Sequence, residues 1–265
     1  MNNLVSVDWL KEHLDDDNLI VLDARLSPSN DPFIPNARFF DLKGKFSDQE
    51  AMFPNTFPTV ERFEKECQRL GICTDSMLVV YDPKGVYSSP RVWWMFTAMG
   101  HHNVAVLDGG LPAWLKNDYP TADVEGSGYL KGDFNACFDA DLVKRYEDIL
   151  SNVSTPSFTV VDARSEGRFN GIDDEPRPHL KSGCIPNSVN IPYEHVLEDG
   201  KFKGREELKA IFNASCSFED KLVFSCGSGL TACIILLACE LAFKQSRFVY
   251  DGSWTEWAEK QGLIK

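Results

Sequence analysis

The sequence predicts an α/β protein built from two tandem copies of one domain, each a mostly parallel sheet flanked by helices. Three observations carry this. Short apolar runs alternate with helical stretches, which is the pattern of strand–helix–strand units. Four strings recur in the same order in both halves. Val21-Leu22-Asp23-Ala24-Arg25 returns as Val161-Asp162-Ala163-Arg164, and Ile34-Pro35-Asn36 returns as Ile185-Pro186-Asn187. Leu78-Val79-Val80-Tyr81-Asp82 aligns with Leu222-Val223-Phe224-Ser225-Cys226. Val106-Leu107-Asp108-Gly109-Gly110, followed by Trp114, aligns with Val249-Tyr250-Asp251-Gly252-Ser253, followed by Trp257. One such coincidence is weak; four in order are strong evidence for a duplication. Finally, 265 residues, 43% hydrophobic and 25% charged, suffice for one large or two medium globular domains. The repeat places the domains at residues 1–122 and 142–265. A linker over 123–141 holds Gly126, Gly128 and Gly132 among polar residues.

In the first copy the apolar runs Leu19–Asp23, Met77–Asp82 and Val104–Leu107 read as strands, and Val60–Leu70 and Pro90–Met99 as helices. Pro90 suits a helix start, which gives the neighbouring Arg91 a structural reading ahead of a role in a cleft. His101-His102 falls between a helix and a strand and reads as a surface turn. In the second copy Thr159–Asp162, Leu222–Ser225 and Arg247–Tyr250 read as strands, and Arg205–Phe212 and Thr231–Phe243 as helices. Trp93, Trp94, Trp254 and Trp257 are expected in packing, because aromatic side chains bury large areas.

The formal net charge is -13, from 27 Lys and Arg against 40 Asp and Glu. That argues against nucleic acid and anionic membrane surfaces as partners. The first residues carry no basic segment followed by an apolar one, so no signal peptide is expected. The stretch Ala232 to Phe243 is too short to span a bilayer and contains Glu240. The eight cysteines are scattered without zinc-ligand spacing, and the five histidines show none either, so no metal and no cofactor are expected. Most of the cysteines read as small buried hydrophobes in a reducing, cytoplasmic setting.

The most informative segment is Cys226-Gly227-Ser228-Gly229-Leu230-Thr231. It follows a short buried strand and precedes an apolar helix, and in parallel sheets ligands bind at the carboxyl ends of strands. Its two glycines let the loop curl, so that successive N–H groups gather in one concavity at the positive end of a helix. Such a cradle favours an anion and suits a sulfur nucleophile. The duplicate supplies a control. Asp82 occupies the place of Cys226, and Pro83 removes one N–H from the equivalent loop. Only the second half is therefore expected to be catalytic. The first is a structural partner that walls one side of the cleft.

These residues resemble the 3-mercaptopyruvate sulfurtransferases of the rhodanese superfamily, whose loop has the form C-G-S-G-[VL]-T. The resemblance runs along nearly the whole chain. It includes Tyr87-Ser88-Ser89-Pro90-Arg91-Val92-Trp93-Trp94-Met95, Gly167-Arg168-Phe169, Asp174-Glu175-Pro176-Arg177-Pro178 and Tyr250-Asp251-Gly252-Ser253-Trp254-Thr255-Glu256-Trp257. It implies two tandem rhodanese-like domains. It further implies that Cys226 takes sulfur from 3-mercaptopyruvate as a persulfide, releases pyruvate, and passes the sulfur to a thiol such as thioredoxin or glutathione, or to cyanide. By the same resemblance Arg168 and Arg177 bind the carboxylate and keto oxygen, a task that suits guanidinium. Gly227, Gly229 and Leu230 of the cradle are expected to bind substrate as well. Ser228 hydrogen-bonds the substrate or relays a proton, and Thr231 donates to the sulfur. Both arginines also lie among Glu166, Asp173, Asp174 and Glu175, so an ion-pair role competes, and Ser228 also suits a plain turn.

The family pattern carries a histidine before each Ile-Pro; here Phe33 and Cys184 stand there. The enolate proton must then come from Ser228 or water. Three other functions compete. Thiosulfate-preferring rhodaneses resemble C-R-K-G-V-T, with two cations for a dianion, where this loop has neutral Gly227 and Ser228. Phosphatases and arsenate reductases need Cys-x5-Arg, where this chain has Ala232. A non-catalytic persulfide carrier would need the same loop as the enzyme.

Overall fold

The structure is a computed structural model and describes residues 2–217, 221–244 and 248–265. It divides into two compact units. Unit 1 comprises Met1–Glu50, Phe57–Asp139 and Asp199–Phe202; unit 2 comprises Ala51–Thr56, Ala140–Glu198 and Lys203–Lys265.

Unit 1 runs β1 (Leu4–Val5), α1 (Val7–His13), β2 (Leu19–Asp23), β3 (Arg38–Phe39), α2 (Val60–Arg69), β4 (Met77–Tyr81), α3 (Ser89–Ala98), β5 (Val104–Leu107) and α4 (Gly110–Lys116). Its five strands pair in parallel in the order β1-β5-β4-β2-β3. Unit 2 runs β6 (Val143–Lys144), α5 (Tyr146–Ser154), β7 (Thr159–Asp162), α6 (Glu166–Phe169), β8 (Val189–Asn190) and β9 (Leu197–Glu198). After β10 (Lys201–Phe202), which falls in unit 1, come α7 (Arg205–Ser215), β11 (Leu222–Ser225), α8 (Ala232–Phe243), β12 (Phe248–Tyr250) and α9 (Ser253–Lys260). Its five-stranded parallel sheet has the order β6-β12-β11-β7-β8. Strand for strand this is the order of unit 1, so the duplication read from four strings is a duplication of topology.

Both central strands are buried runs, as parallel strands covered on two faces must be. Residues 78–81 of β4 and 222–225 of β11 are all buried. Trp93, Trp94 and Trp254 are buried core, and Trp257 packs with Ile149, Val223 and Tyr250. Arg91 is 1% exposed, with its guanidinium over the Trp94 ring.

Several expectations are corrected. Strand β4 ends at Tyr81 rather than Asp82, because the Asp82 carboxylate turns to the following loop. Helix α3 begins at Ser89, with Pro90 inside its first turn. The apolar helix starts at Ala232, with Thr231 as its cap residue. Helix α2 stops at Arg69 and α7 continues to Ser215. Arg247, the expected start of the last strand, lies outside the described residues. His101 is not a surface turn: its ring is buried against Phe96 and Phe134. All eight cysteines are free, and only Cys67, Cys226, Cys233 and Cys239 are buried, while Cys137 and Cys184 are exposed. The two-residue strands and the short helices α4, α6 and α9 give too few residues for a periodicity to register.

Candidate active site

Strand β11 delivers Cys226 to its carboxyl end, and α8 begins six residues later. The thiol is 2% exposed. The Gly229 N–H donates to Cys226 Sγ at 3.1 Å. Gly229 has φ +81, a left-handed conformation that costs an L side chain about 1–2 kcal/mol, so glycine is needed for the loop to fold back onto the sulfur. The Cys226 N–H donates to Ser253 Oγ at 3.2 Å, and the same hydroxyl lies 4.0 Å from Sγ. Backbone bonds then tie the loop to α9. The Trp254 N–H donates to the Cys226 carbonyl at 2.9 Å, and the Thr255 N–H and Oγ1 donate to the Gly227 carbonyl at 3.1 and 2.7 Å. Among the described residues the N–H groups of Gly227, Ser228, Leu230 and Thr231 have no protein acceptor. The expected cradle thus has one donor already on the sulfur and four more in the loop. Thr231 Oγ1 makes no hydrogen bond to the sulfur; the donor there is the Gly229 N–H, and the Ser253 hydroxyl lies beside it.

The duplicate loop shows what such a cradle holds. Asp82 is 1% exposed. Its carboxylate accepts the N–H groups of Lys84, Tyr87, Ser88 and Ser89 at 2.8–3.0 Å, and the Ser89 hydroxyl at 2.8 Å. The first copy fills its anion cradle with its own side chain, whereas the second places a sulfur there.

A charged chain leads from the sheet to the loop. Arg164, fully buried, pairs with Asp162 and Glu175 at 2.7 Å each and stacks over Trp254. Burial alone would lower its pKa; Asp162 and Glu175 together outweigh this and raise it, so the guanidinium stays charged. Glu175 also holds Arg168, through Nε at 3.2 Å and Nη2 at 2.6 Å. Arg168 Nη1 has no acceptor among the described residues. The guanidinium rests against the loop: a methyl group on Gly227 would come within 3.0 Å of Arg168 Nη2. So Arg168 is both an ion-pair partner and a neighbour of the loop. Arg177 is half-buried and pairs with no carboxylate among the described residues, and no hydrogen bond joins it to the loop.

Two residues at this site escaped the sequence reading. Asn55, within unit 2, donates from Nδ2 to the Ser228 carbonyl at 3.0 Å and to Ser228 Oγ at 3.1 Å. Only packing could reveal this. Ser253 had a signal in the repeat, which sets it opposite Gly110, and it keeps the glycine-like φ of +53. A serine retained at a glycine's backbone angle marks a side chain with a task.

With this geometry in view, the comparisons assign a family. The rhodanese-like domain matches residues 6–117 and 145–260. The chain is 36% identical to the 3-mercaptopyruvate sulfurtransferase of Escherichia coli K12 over 98% of its own length and 96% of that protein's. It is 39% identical to the thiosulfate sulfurtransferase of Rattus norvegicus over 96% of its length and 91% of the relative's. The crystal structure of the 3-mercaptopyruvate sulfotransferase SseA from Escherichia coli superimposes with a TM-score of 0.85 at 34% identity, covering 96% of this chain and 99% of that one. The chain belongs to the rhodanese family, with the family's domain present twice. Within that family it is a sulfurtransferase, an enzyme that moves sulfur from a donor to an acceptor.

Proposed function

We propose that this enzyme takes its sulfur from 3-mercaptopyruvate and carries it on Cys226. The observation that supports this donor is the placement of Arg168. Position two of the loop is glycine, and a guanidinium from outside the loop lies against it. That supplies one directional cation, suited to a monocarboxylate, where two loop cations would suit a dianion. The Nε and Nη2 groups of Arg168 are engaged by Glu175, so its Nη1 side meets the donor's carboxylate. Arg177, with no carboxylate partner among the described residues, meets the keto oxygen. The other relative, a thiosulfate sulfurtransferase of similar identity, makes thiosulfate the second reading.

The step balances without an external proton. The Cys226 thiolate attacks the donor's sulfur, forming a sulfur–sulfur bond. The carbon–sulfur bond breaks, and its electron pair passes into the enolate of pyruvate. The donor's thiol proton ends on the methyl carbon of pyruvate, leaving an anionic persulfide on Cys226. A thiol such as thioredoxin or glutathione, or cyanide, then attacks the outer sulfur and restores the thiolate. The N–H groups of Gly227, Gly229 and Leu230 stabilise the persulfide, which carries its charge on the outer sulfur. Thr231 reaches this outer sulfur rather than Sγ. Unit 1 stays outside the chemistry, because Asp82 fills the equivalent cradle. Eight free cysteines support a reducing compartment such as the cytoplasm. No helix among the described residues is long and apolar enough to cross a membrane.

The test is the intact mass of the protein after brief exposure to 3-mercaptopyruvate, with pyruvate assayed alongside. We expect a gain of one sulfur atom with pyruvate release, and neither in Cys226→Ser. A gain from thiosulfate alone overturns the donor. Repeated turnover with a small thiol excludes a carrier that works only with a partner protein.

A further inference from the structure

Among the described residues no group accepts the Ser228 hydroxyl proton. Asn55 Nδ2 faces the Ser228 carbonyl at 3.0 Å, and a carbonyl oxygen can only accept. The atom facing it is therefore the amide nitrogen, which settles the orientation of the side chain. The same nitrogen lies 3.1 Å from Ser228 Oγ. An amide nitrogen donates and does not accept, so one of its hydrogens serves the carbonyl and the other serves the hydroxyl. Ser228 Oγ is thus an acceptor toward Asn55. Its own proton has no acceptor among the described residues. Asn55 has φ +60, the left-handed region that asparagine tolerates better than most residues, and this tight turn directs its side chain back to the loop.

We propose that Asn55 is a positioning residue. It holds Ser228 so that the serine hydroxyl donates its hydrogen bond to the oxyanion that departs when the donor's sulfur bond breaks. This rests on the donor reading only for the identity of that oxyanion, the enolate oxygen of pyruvate. A neighbouring base would draw the serine proton toward itself and make the oxygen a relay. The Asn55 amide does the reverse. It withdraws electron density from Oγ, strengthens the O–H as a donor, and leaves the proton on serine throughout. The enzyme therefore needs no titrating partner for Ser228, which fits Phe33 and Cys184 standing where the family pattern has histidines. Because the bond strengthens as the oxyanion forms, its loss should appear in kcat rather than KM.

The test is a double-mutant cycle at Asn55 and Ser228, using whichever donor loads wild-type Cys226 in the mass assay. The loading result decides the donor, and the cycle decides the pair, so the two can fail separately. Asn55→Gly removes the amide and keeps the left-handed turn free of strain. It should lower kcat about tenfold, the worth of one hydrogen bond, with KM within about twofold. In a Ser228→Ala background the same change should have no further effect on kcat. Asn55→Asp, equal in size and also tolerant of the turn, should lower kcat more than glycine does, because a carboxylate captures the serine proton. A purely structural role for Asn55 predicts the opposite ranking and equal losses in both backgrounds. Equal losses, or wild-type kcat in Asn55→Asp, would overturn the proposal.

Discussion

Ser253 concentrates the problem of placing a nucleophile at the end of a strand. Its hydroxyl accepts the Cys226 N–H at 3.2 Å and donates to the Tyr250 carbonyl at 2.9 Å, so the backbone on both sides of the site is tied through one oxygen. The residue holds this position at φ +53. Its counterpart Gly110 has φ +52, and there a Cβ would come within 2.3 Å of the Gly85 carbonyl oxygen, so only glycine fits. The second copy has opened that space and used it for a side chain. Ser253→Ala keeps the backbone strain and leaves the buried Cys226 N–H without its acceptor, at about 1–2 kcal/mol. Ser253→Gly loses the same bond but relieves about 1 kcal/mol of left-handed strain. In urea titrations the glycine variant should unfold at a higher midpoint than the alanine variant. Sulfur loading should be slowed alike in both.

At the scale of elements, α8 does two jobs. Apart from Glu240 it is apolar on every face, and it is buried from Ala232 to Glu240, so tertiary packing rather than amphipathic patterning stabilises it. Its amino end faces the Cys226 loop, and Thr231 makes no side-chain cap there, leaving the first-turn N–H groups for the anion. Its carboxyl end stops at Lys244, which takes φ +58 and donates its N–H to the Glu240 carbonyl at 2.9 Å. Glycine is the usual residue for this cap. Lys244→Gly should raise stability by about 1 kcal/mol, read as a higher urea midpoint with an unchanged slope, and should leave sulfur loading untouched. A lower midpoint would mean that the lysine side chain itself stabilises the helix end.

At the scale of the whole molecule, the duplication explains which copy works. The two sheets share one strand order, and both central strands end in a loop that gathers N–H groups. In unit 1 five donors converge on Asp82, making that residue a structural keystone. Asp82→Ala leaves several buried donors without an acceptor and should cost on the order of 3 kcal/mol or more. Cys226→Ala removes a single acceptor, the sulfur that takes the Gly229 N–H, and should cost far less. Unfolding followed by intrinsic tryptophan fluorescence would compare them directly. The aspartate variant should lose stability yet still load sulfur at a temperature where it remains folded. A silent Asp82→Ala would mean that unit 1 does not need its filled cradle.

The sequence by itself determined the α/β class, the duplication, the strand that ends at Cys226 and the glycine that lets the loop close on it. These depend on local runs and on comparison of one half with the other, both readable along the chain. Arg168 and Arg177 came forward only through the resemblance to the sulfurtransferases, which implies that they bind the donor. Tertiary structure decided the rest. It set Arg168 against Gly227 but left Arg177 without a bond to the loop, and it tied Arg168 and Arg164 together through Glu175. It joined Asn55 to Ser228 across 173 residues of sequence. It also put Ser253, rather than Thr231, beside the sulfur. The physical reason is that the two kinds of information have different ranges. Backbone conformation follows neighbours a few residues apart. The hydrogen-bond partner of a side chain depends on which distant segment the packing brings within about 3 Å.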